Sequence, residues 1–475
     1  MRVVAVDPIT RIEGHLKVEL TVEDGRIVRA RSSGALFRGI EIILVGRHPL
    51  DAQRITTRIC GVCPIAHSTA ASFALDEALG ISQDIPQNGR ILRNLIYAAN
   101  WLHNHILHFY HLSLPDYVSF RGLPLSEFLS SGVEEERFSS EENEKLVQHY
   151  LAALEVRRKA HELSALLGGK MPHDMAIVPG GMCFRPDPAT LLAFRFRLAE
   201  IRGFLENIYV SDVLLLCRRY ADYFEIGKVR RLLTFGAFPE GNFGLEGRLF
   251  PAGLVKDGEP EKFDPQQILE GVESSWYRGE KAHPWENSTQ PDPQKVEGYS
   301  WVKAPRYKGE AYEVGPAARV ALSLLWGPQD FRVLARELLG DAGVGPEALS
   351  SVMGRHLSRA IEAVFLAKRM DGWLSQVDLD QPVAKAFHVP PEAEGQGLTD
   401  APRGALGHWL RIKDGKIAHY QVISPTTWNA SPRDERGKPG PIEEALEGTK
   451  VGDNALLVAG RIVRSFDPCM ACAVQ

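Results

Sequence analysis

Four of the six cysteines in the chain fall into two pairs of identical spacing, Cys60-Gly61-Val62-Cys63 and Cys469-Met470-Ala471-Cys472. Two intervening residues let both sulfurs of a pair turn toward one ion, so two pairs can make a four-thiolate site for a soft or borderline metal. On spacing alone three outcomes stay open: a zinc or iron–sulfur site that only holds the fold, a catalytic thiolate metal, or two separate redox pairs. Zinc ribbons usually close within a short stretch of chain, whereas these pairs sit near opposite ends of it. Closing a site across the whole chain suits a buried catalytic metal. The flanks agree, because Arg58, His67 and Asp467-Pro468 adjoin the pairs and a zinc staple needs none of them. Other chemistry is not visible: there is no G-x-G-x-x-G, no G-x-x-x-x-G-K-[ST], no H-E-x-x-H and no EF-hand loop.

The elements that must position the pairs can be read from periodicity. Alternation around Asp24-Gly25 predicts an N-terminal hairpin within residues 1–32, and a second is expected around Asp414-Gly415. Apolar residues recurring at three and four predict helices over 67–80 and 88–112, then about 141–167 and 187–226, and again about 316–340 and 347–376. Stripes of that length must be covered by other long elements, which predicts a bundle. Residues 257–312 are rich in Pro, Gly, Glu and Lys yet hold Trp276, Tyr277, Trp285, Tyr299 and Trp301, and read as a long ordered surface loop or a partner-docking surface. The fold class is mixed and predominantly α, a long-helix bundle core with small peripheral β-sheets. One catalytic unit is expected over 1–475. Its sub-regions are an N-terminal β region (1–58), a helical bundle with the first pair (59–226), a β/loop region (227–315), a helical region (316–400) and a C-terminal region with the second pair (401–475).

At this point the sequence resembles the large subunit of [NiFe] hydrogenases. Arg58-Ile59-Cys60-Gly61-Val62-Cys63-Pro64-Ile65-Ala66-His67 matches the family pattern R-x-C-G-x-C-x-x-x-H, and Asp467-Pro468-Cys469-Met470-Ala471-Cys472 matches the terminal D-P-C-x-x-C. Blocks at Arg11–His15, Phe37–Glu41, His105–Leu112, Gly168–His173, Lys303–Tyr307, Ala401–Trp409 and Pro425–Asn429 extend the likeness over nearly the whole chain. A related subunit of respiratory complex I shares the fold but lacks the four cysteines.

The resemblance implies nickel on Cys60, Cys63, Cys469 and Cys472, with Cys63 and Cys472 bridging to an iron that carries two cyanides and one carbon monoxide. The implied reaction is heterolytic cleavage of H₂, with Cys469, Glu13 and Arg403 as catalytic residues. Glu13 would carry protons away from the terminal cysteine, Arg403 and Pro402 would line the iron, and Thr426 would donate to a diatomic ligand. Around them, His67 would donate to the Cys63 sulfur, and Asp467 and Asn104 would flank the site. Asn104 stands where some relatives place an aspartate facing the arginine. Val62 and Leu112 would line a gas channel that bulkier residues do not obstruct. Glu41, the backbone carbonyl near Val422 and Gln475 match a Mg²⁺ (or other divalent cation) site, although the family most often has His at the last of these positions. An iron–sulfur small subunit is implied as obligate partner, since no further cysteine cluster exists to carry electrons away. An uptake enzyme is expected; the alternative is a regulatory H₂ sensor on the same scaffold.

Composition agrees with a packed globular chain: 475 residues, 44% hydrophobic and 24% charged, with a net charge of −5 that gives no basic excess for nucleic acid. No export signal and no membrane-spanning stretch is expected, so membrane contact would come through partners, and the compartment stays open between cytoplasm and export with the small subunit. The sequon at Asn287 is discounted. Among the histidines, His103, His105, His108 and His111 are expected to serve packing rather than a second metal site, and Cys183 and Cys217 to be buried small hydrophobes.

Overall fold

The computed structural model describes residues 2–121, 135–241, 244–452 and 454–474. At the N-terminus, strands β1 (Arg2–Val6), β2 (Leu16–Glu23) and β3 (Arg26–Gly34) form an antiparallel sheet in that order. Leu16, Val18 and Leu20 point inward while the residues between them stay half-exposed, the period of a sheet with one wet face. Asp24 and Gly25 both lie at positive φ, 48° and 71°, as the expected two-residue hairpin turn requires.

The helices follow. Helix α1 (Pro64–Ala78) begins at a proline and is buried on nearly every side. Helix α2 (Gln87–Ile106) runs on into a π-helical turn over Leu107–Ser113, so the expected helix 88–112 is present but re-aimed in its last turns. Helix α3 (Ser140–Gly168) opens on a capping box between Ser139 and Glu142. The stretch expected over 187–226 is α4 (Pro188–Phe204), a π turn over Leu205–Tyr209, and α5 (Val210–Arg219). The helix expected over 316–340 is split at Gly327-Pro328 into α6 (Pro316–Trp326) and α7 (Gln329–Asp341), because a proline cannot continue the ladder of the preceding turn. At the centre stands α8 (Val352–Leu374), buried at every position from Val352 through Ala367 and packed by α2, α4, α5 and α6.

Past α8 lies strand β4 (Ala393–Ala401), inside the sub-region 316–400 expected to be helical; its run of buried residues gives no alternation. It pairs with β5 (Gly404–Lys413), which pairs on its other side with β6 (Lys416–Ile423), in a three-stranded antiparallel sheet with the expected hairpin at Asp414-Gly415. Helix α1 lies directly on this sheet. A Cβ on Gly397 would come within 1.8 Å of the Ala70 carbonyl oxygen, so glycine there sets the distance between helix and strand. The chain then enters α9 (Pro425–Asn429), α10 (Ala455–Phe466), which also packs on α8, and α11 (Met470–Ala473).

Helix makes up 44% and strand 20% of the chain, which places it in the mixed, predominantly α class expected. The aromatics of 257–312 turn mostly inward: Trp301 stacks on Phe37 at 5.0 Å between centroids, Trp276 and Tyr277 pack on Trp301, and Tyr277 is buried. Strand Ile268–Gly271 pairs with Ala304–Tyr307 inside the same stretch, which is therefore folded against the body of the chain. Among the described residues no helix is long and apolar enough to cross a membrane.

Candidate metal centre

The two cysteine pairs meet. Cys63 is the residue before α1, so Cys60 and Cys63 occupy the loop that feeds its N-terminus, where the backbone N–H groups of Val62 and Cys63 donate to the Cys60 sulfur at 3.2 and 3.3 Å. The second pair follows α10. Asp467 ends that helix in the left-handed region at φ 61°, which Asp tolerates better than most residues, and Pro468 turns the chain so that Cys469 starts α11. All four sulfurs are buried and lie within 4.8 Å of one another; Cys60 to Cys469 and Cys63 to Cys472 are each 3.3 Å.

Such a cluster calls for a cation. Hydrogen bonds from Cys469, Cys472 and Cys63 hold the Cys60 thiol well below the ordinary thiol range, whereas burial, then crowding by the other sulfurs, pushes Cys469 well above it. Burial also pushes Cys472 up. Four thiolates this close and this dry can ionise together only around a positive ion, and the donors are all soft, so the residues fit a thiolate-bound metal.

Glu13 reaches this centre through the backbone. Its carbonyl accepts from the Met470 N–H at 2.8 Å, which joins the N-terminal segment to the terminal pair. The carboxylate accepts from the Ala471 N–H at 2.8 Å and lies 3.2 Å from the Cys469 sulfur. Burial raises its pKa, and the charge of Cys60 raises it further, against the Ala471 N–H, which lowers it. Gly14 makes the approach feasible: it sits at φ +78°, and a Cβ there would come within 2.8 Å of the Met470 Cβ. Just upstream, Arg11 is held by Asp116, which also accepts from Arg464 at 2.6 Å, and Arg464 donates in turn to the Thr10 carbonyl at 2.8 Å.

Pro402 and Arg403 form the two-residue turn between β4 and β5. Arg403 donates to Asn104 Oδ1 at 2.8 Å and to Asp467 Oδ1 at 3.1 Å. Burial works against its charge, but Asp467 and the sulfurs of Cys469, Cys63 and Cys60 outweigh burial and raise its pKa above the ordinary arginine value. Asp467 therefore balances the charge, and the neutral Asn104 serves as acceptor while its amide donates to the Val62 carbonyl at 3.1 Å, tying the first cysteine loop to Arg403. Thr426 Oγ1 accepts from the Cys469 N–H at 2.9 Å. Val62 is half-buried over the cysteine loop, and Leu112, half-buried in the π turn, gives its carbonyl to Arg11.

Two expectations need correction. His67 does not donate to Cys63: its Nε2 lies 3.4 Å from the Cys472 sulfur, because the ring projects along α1 to the place where the terminal pair docks. Cys183 is exposed, emerging just after the short buried strand Gly181–Met182, and its thiol donates to the Met175 carbonyl; Cys217 is buried as expected. The four histidines of the second helix and its π turn go to separate partners, His161, Glu362, the Arg464 carbonyl and the Tyr150 carbonyl, and no second metal cluster of His, Cys, Asp or Glu occurs among the described residues.

Glu41 lies in a separate buried polar pocket. Its carboxylate accepts from the Val422 N–H at 2.8 Å and from Lys303 at 3.0 Å, and Lys303 is also 3.5 Å from Glu270. Glu270 accepts from Gln421 and from the buried Asn287, which removes that sequon from the surface. A cavity of about 10 Å³ borders Glu41, Glu270, Lys303 and Val422. Glu270 Oε1 and Gln421 Oε1 are buried with no protein hydrogen-bond partner, an all-oxygen set that fits a hard cation. Gln475 lies outside the described residues.

Sequence reasoning missed the support for the Pro402-Arg403 turn. Arg319, fully buried in α6, donates to the carbonyls of Ala401 and Pro402 at 3.0 and 2.8 Å, to Asp400 at 2.9 Å and to both oxygens of Glu362. The available signal was a lone arginine inside the apolar run Ala317-Ala318-Arg319-Val320-Ala321-Leu322.

Comparison with known proteins decides the family. The model described as nickel-dependent hydrogenase matches residues 38–123 and 126–475, and a model described as HoxL-like matches residues 3–33. The chain belongs to the nickel-dependent hydrogenase family. It is 42% identical to the periplasmic [NiFeSe] hydrogenase large subunit of Desulfomicrobium baculatum, over 99% of this chain and 94% of that protein. It is 34% identical to the uptake hydrogenase large subunit of Bradyrhizobium diazoefficiens, over 99% and 95%. The solved Ni-Fe-Se hydrogenase of D. vulgaris Hildenborough superposes with a TM-score of 0.91 at 43% identity, covering 100% of both chains. The fold is thus that of the hydrogenase large subunits, and the four-cysteine cluster of this hydrogenase fits its nickel.

Proposed function

We propose that this hydrogenase large subunit, acting as one catalytic unit over 1–475, takes up H₂ at a nickel–iron centre held by Cys60, Cys63, Cys469 and Cys472. Cys63 and Cys472 would also hold the iron with its two cyanides and one carbon monoxide. The observation that carries the reading is the convergence of four buried sulfurs with Glu13 beside Cys469 and Arg403 held between Asn104 and Asp467. Selenium, which the names of some relatives include, is supplied by none of these four ligands, all of which are cysteines.

When bound, the metal pair supplies the Lewis-acid and redox chemistry that splits H₂ into protons and electrons. The sulfur of Cys469 accepts the proton, and the Glu13 carboxylate, 3.2 Å away, takes it onward. A carboxyl whose pKa burial has raised exchanges protons with a thiol more readily than an exposed one would. Arg403, kept charged by Asp467, presents a fixed positive group that would polarise H₂, with Pro402 beside it, and Thr426 would donate to a diatomic ligand. Glu41 and the backbone at Val422, with Glu270 and Gln421 around them, would hold Mg²⁺ or a similar hard cation; Gln475 is the third ligand that the family resemblance implies.

An iron–sulfur small subunit would receive the electrons, with any membrane contact made through partners. Its docking face fits the open surface around Glu13, His15, Arg38, Arg58, His173 and Val474, a cleft of about 380 Å³. Exposed Leu36, Ile42, Ile43 and Val45 lie on the neighbouring segment. The uptake relative supports an enzyme over a sensor.

The test is the assembled enzyme: nickel and iron in equal amounts, infrared bands of bound carbon monoxide and cyanide, and H₂ uptake with an artificial acceptor at about 1–10³ s⁻¹. Cys472→Ser is expected to abolish the bands and the uptake together. Retained activity would remove Cys472 from the centre, and turnover well below about 1 s⁻¹ with an intact metal centre would favour the sensor.

A further inference from the structure

Behind Cys472 runs an unbroken chain of buried polar side chains. The Cys472 sulfur lies 3.4 Å from His67 Nε2, His67 Nδ1 lies 3.1 Å from His408 Nε2, and His408 Nδ1 lies 2.7 Å from the Tyr420 hydroxyl. The four residues come from α11, α1, β5 and β6, and none is more than 3% exposed. Such a chain in a dry interior has two self-consistent directions. In one, the Tyr420 O–H donates to His408, the His408 N–H donates to His67, and the His67 N–H donates to the sulfur. In the other, every donor points the opposite way, which leaves the Tyr420 proton without an acceptor in the chain and turns a bare nitrogen lone pair onto the sulfur.

The second direction is tolerable only while Cys472 is a thiol. Once the sulfur is a metal-bound thiolate it offers lone pairs and no proton, so only the first direction satisfies all three donors. A hydrogen bond to an ionised acceptor is the stronger kind, and each link of a chain polarises the next.

We propose that Tyr420 and His408 are positioning residues that fix His67 as a polarised N–H donor to the Cys472 sulfur and thereby withdraw electron density from that thiolate and from the metals it serves. The inference rests on the reading of Cys472 as a ligand of the nickel–iron centre. Hydrogen bonds to ligand sulfurs are a recognised means of setting a redox potential. Here the source of polarisation is a phenol on β6, three groups removed from the sulfur.

The experiment uses the assembled enzyme with nitrogen-15 histidine, as wild type, Tyr420→Phe and His408→Phe. Three quantities are read: the hyperfine coupling of the His67 nitrogen to paramagnetic nickel, the carbon monoxide stretching band of the iron, and the midpoint potential of the nickel. A graded response is expected. From wild type through Tyr420→Phe to His408→Phe, the coupling shifts, the band moves to lower wavenumber and the potential becomes more negative, while nickel and iron content stay at wild-type levels. Unchanged coupling, band and potential in both variants would overturn the proposal, as would loss of nickel in Tyr420→Phe, which would assign the chain to holding the fold. A wild-type enzyme that carries nickel and iron but shows no histidine coupling would overturn it too. A wild type without those metals would instead overturn the reading of the centre itself.

Discussion

Arg319→Met tests whether the turn that carries Arg403 is braced from behind. All five guanidinium N–H groups of Arg319 are used: two on Glu362 at 2.7 and 2.9 Å, one on Asp400 at 2.9 Å, and one each on the Ala401 and Pro402 carbonyls. Methionine keeps an unbranched side chain of similar reach and removes the charge. Glu362 is then left with His105, and Asp400 with Thr234 and the Phe235 N–H, both in a fully buried setting. Removing one partner of a buried ion network costs about 3–5 kcal/mol. With an unfolding entropy near ~2.1 cal/mol/K per residue, 475 residues give about 1 kcal/mol/K, so Tm should fall by about 3–5 °C. Calorimetry of the assembled enzyme measures it, and H₂ uptake measured in parallel separates stability from function. Arg319→Lys restores a positive charge but cannot reach both carboxylates and both carbonyls. It should recover part of the lost Tm while uptake stays low. A methionine variant with wild-type Tm would show that the carboxylates relax at no cost, and full uptake in the lysine variant would show that the Pro402-Arg403 turn needs no brace.

Other outcomes follow from the same geometry. Glu13→Gln should keep the metal centre and lower D₂ exchange with water by roughly 10²-fold or more, the scale of a lost acid–base group, while para- to ortho-H₂ conversion survives; an equal fall in both would make the residue a support for the site. Leu112→Phe should slow inhibition by CO if that position lines the gas route, and an unchanged rate would remove it from the route. Burial pushes the Glu443 carboxyl up to about 7, so the folded chain keeps a proton that an unfolded one releases near 4.5. Its contribution to stability is therefore full below about pH 4.5 and is lost as pH rises through 7, about 3 kcal/mol over that window. Glu443→Gln should flatten this slope in thermal melts between those pH values, and an unaltered slope would place the titration elsewhere.

What the sequence disclosed is what lies close along the chain. The cysteine pairs, Asp467-Pro468 and the turn residues Asp24-Gly25 and Asp414-Gly415 are local patterns found where they were expected, and the long stripes are helical with local breaks at Gly327-Pro328 and at the π turn over Leu205–Tyr209. Arg319 escaped notice because its acceptors at 362 and 400–402 belong to a different helix and to a strand that periodicity missed. His67 was assigned the wrong sulfur for a related reason: it follows Cys63 by one helical turn, so the near partner looked natural, yet the docked terminal segment brings Cys472 to the ring instead. Cys183 illustrates the converse. Apolar neighbours in sequence suggested burial, but Met175 and Phe184 are themselves exposed, so the local hydrophobicity marks surface.

The separation of the two cysteine pairs also has a consequence in time. Cys60 and Cys469 stand 409 positions apart and touch only in the finished fold. At a synthesis rate of about 5–20 residues per second, roughly 20–80 s pass between the emergence of the first of these cysteines and the second. For that interval Cys60 and Cys63 exist as an open dithiol on a nascent chain, with the N-terminal sheet already available and its terminal partners not yet made. Whatever metal chemistry the centre acquires must either wait for α11 to close over it or be delivered to the first pair while the door is still open, and the docking of Cys469 and α11 is the event that shuts it.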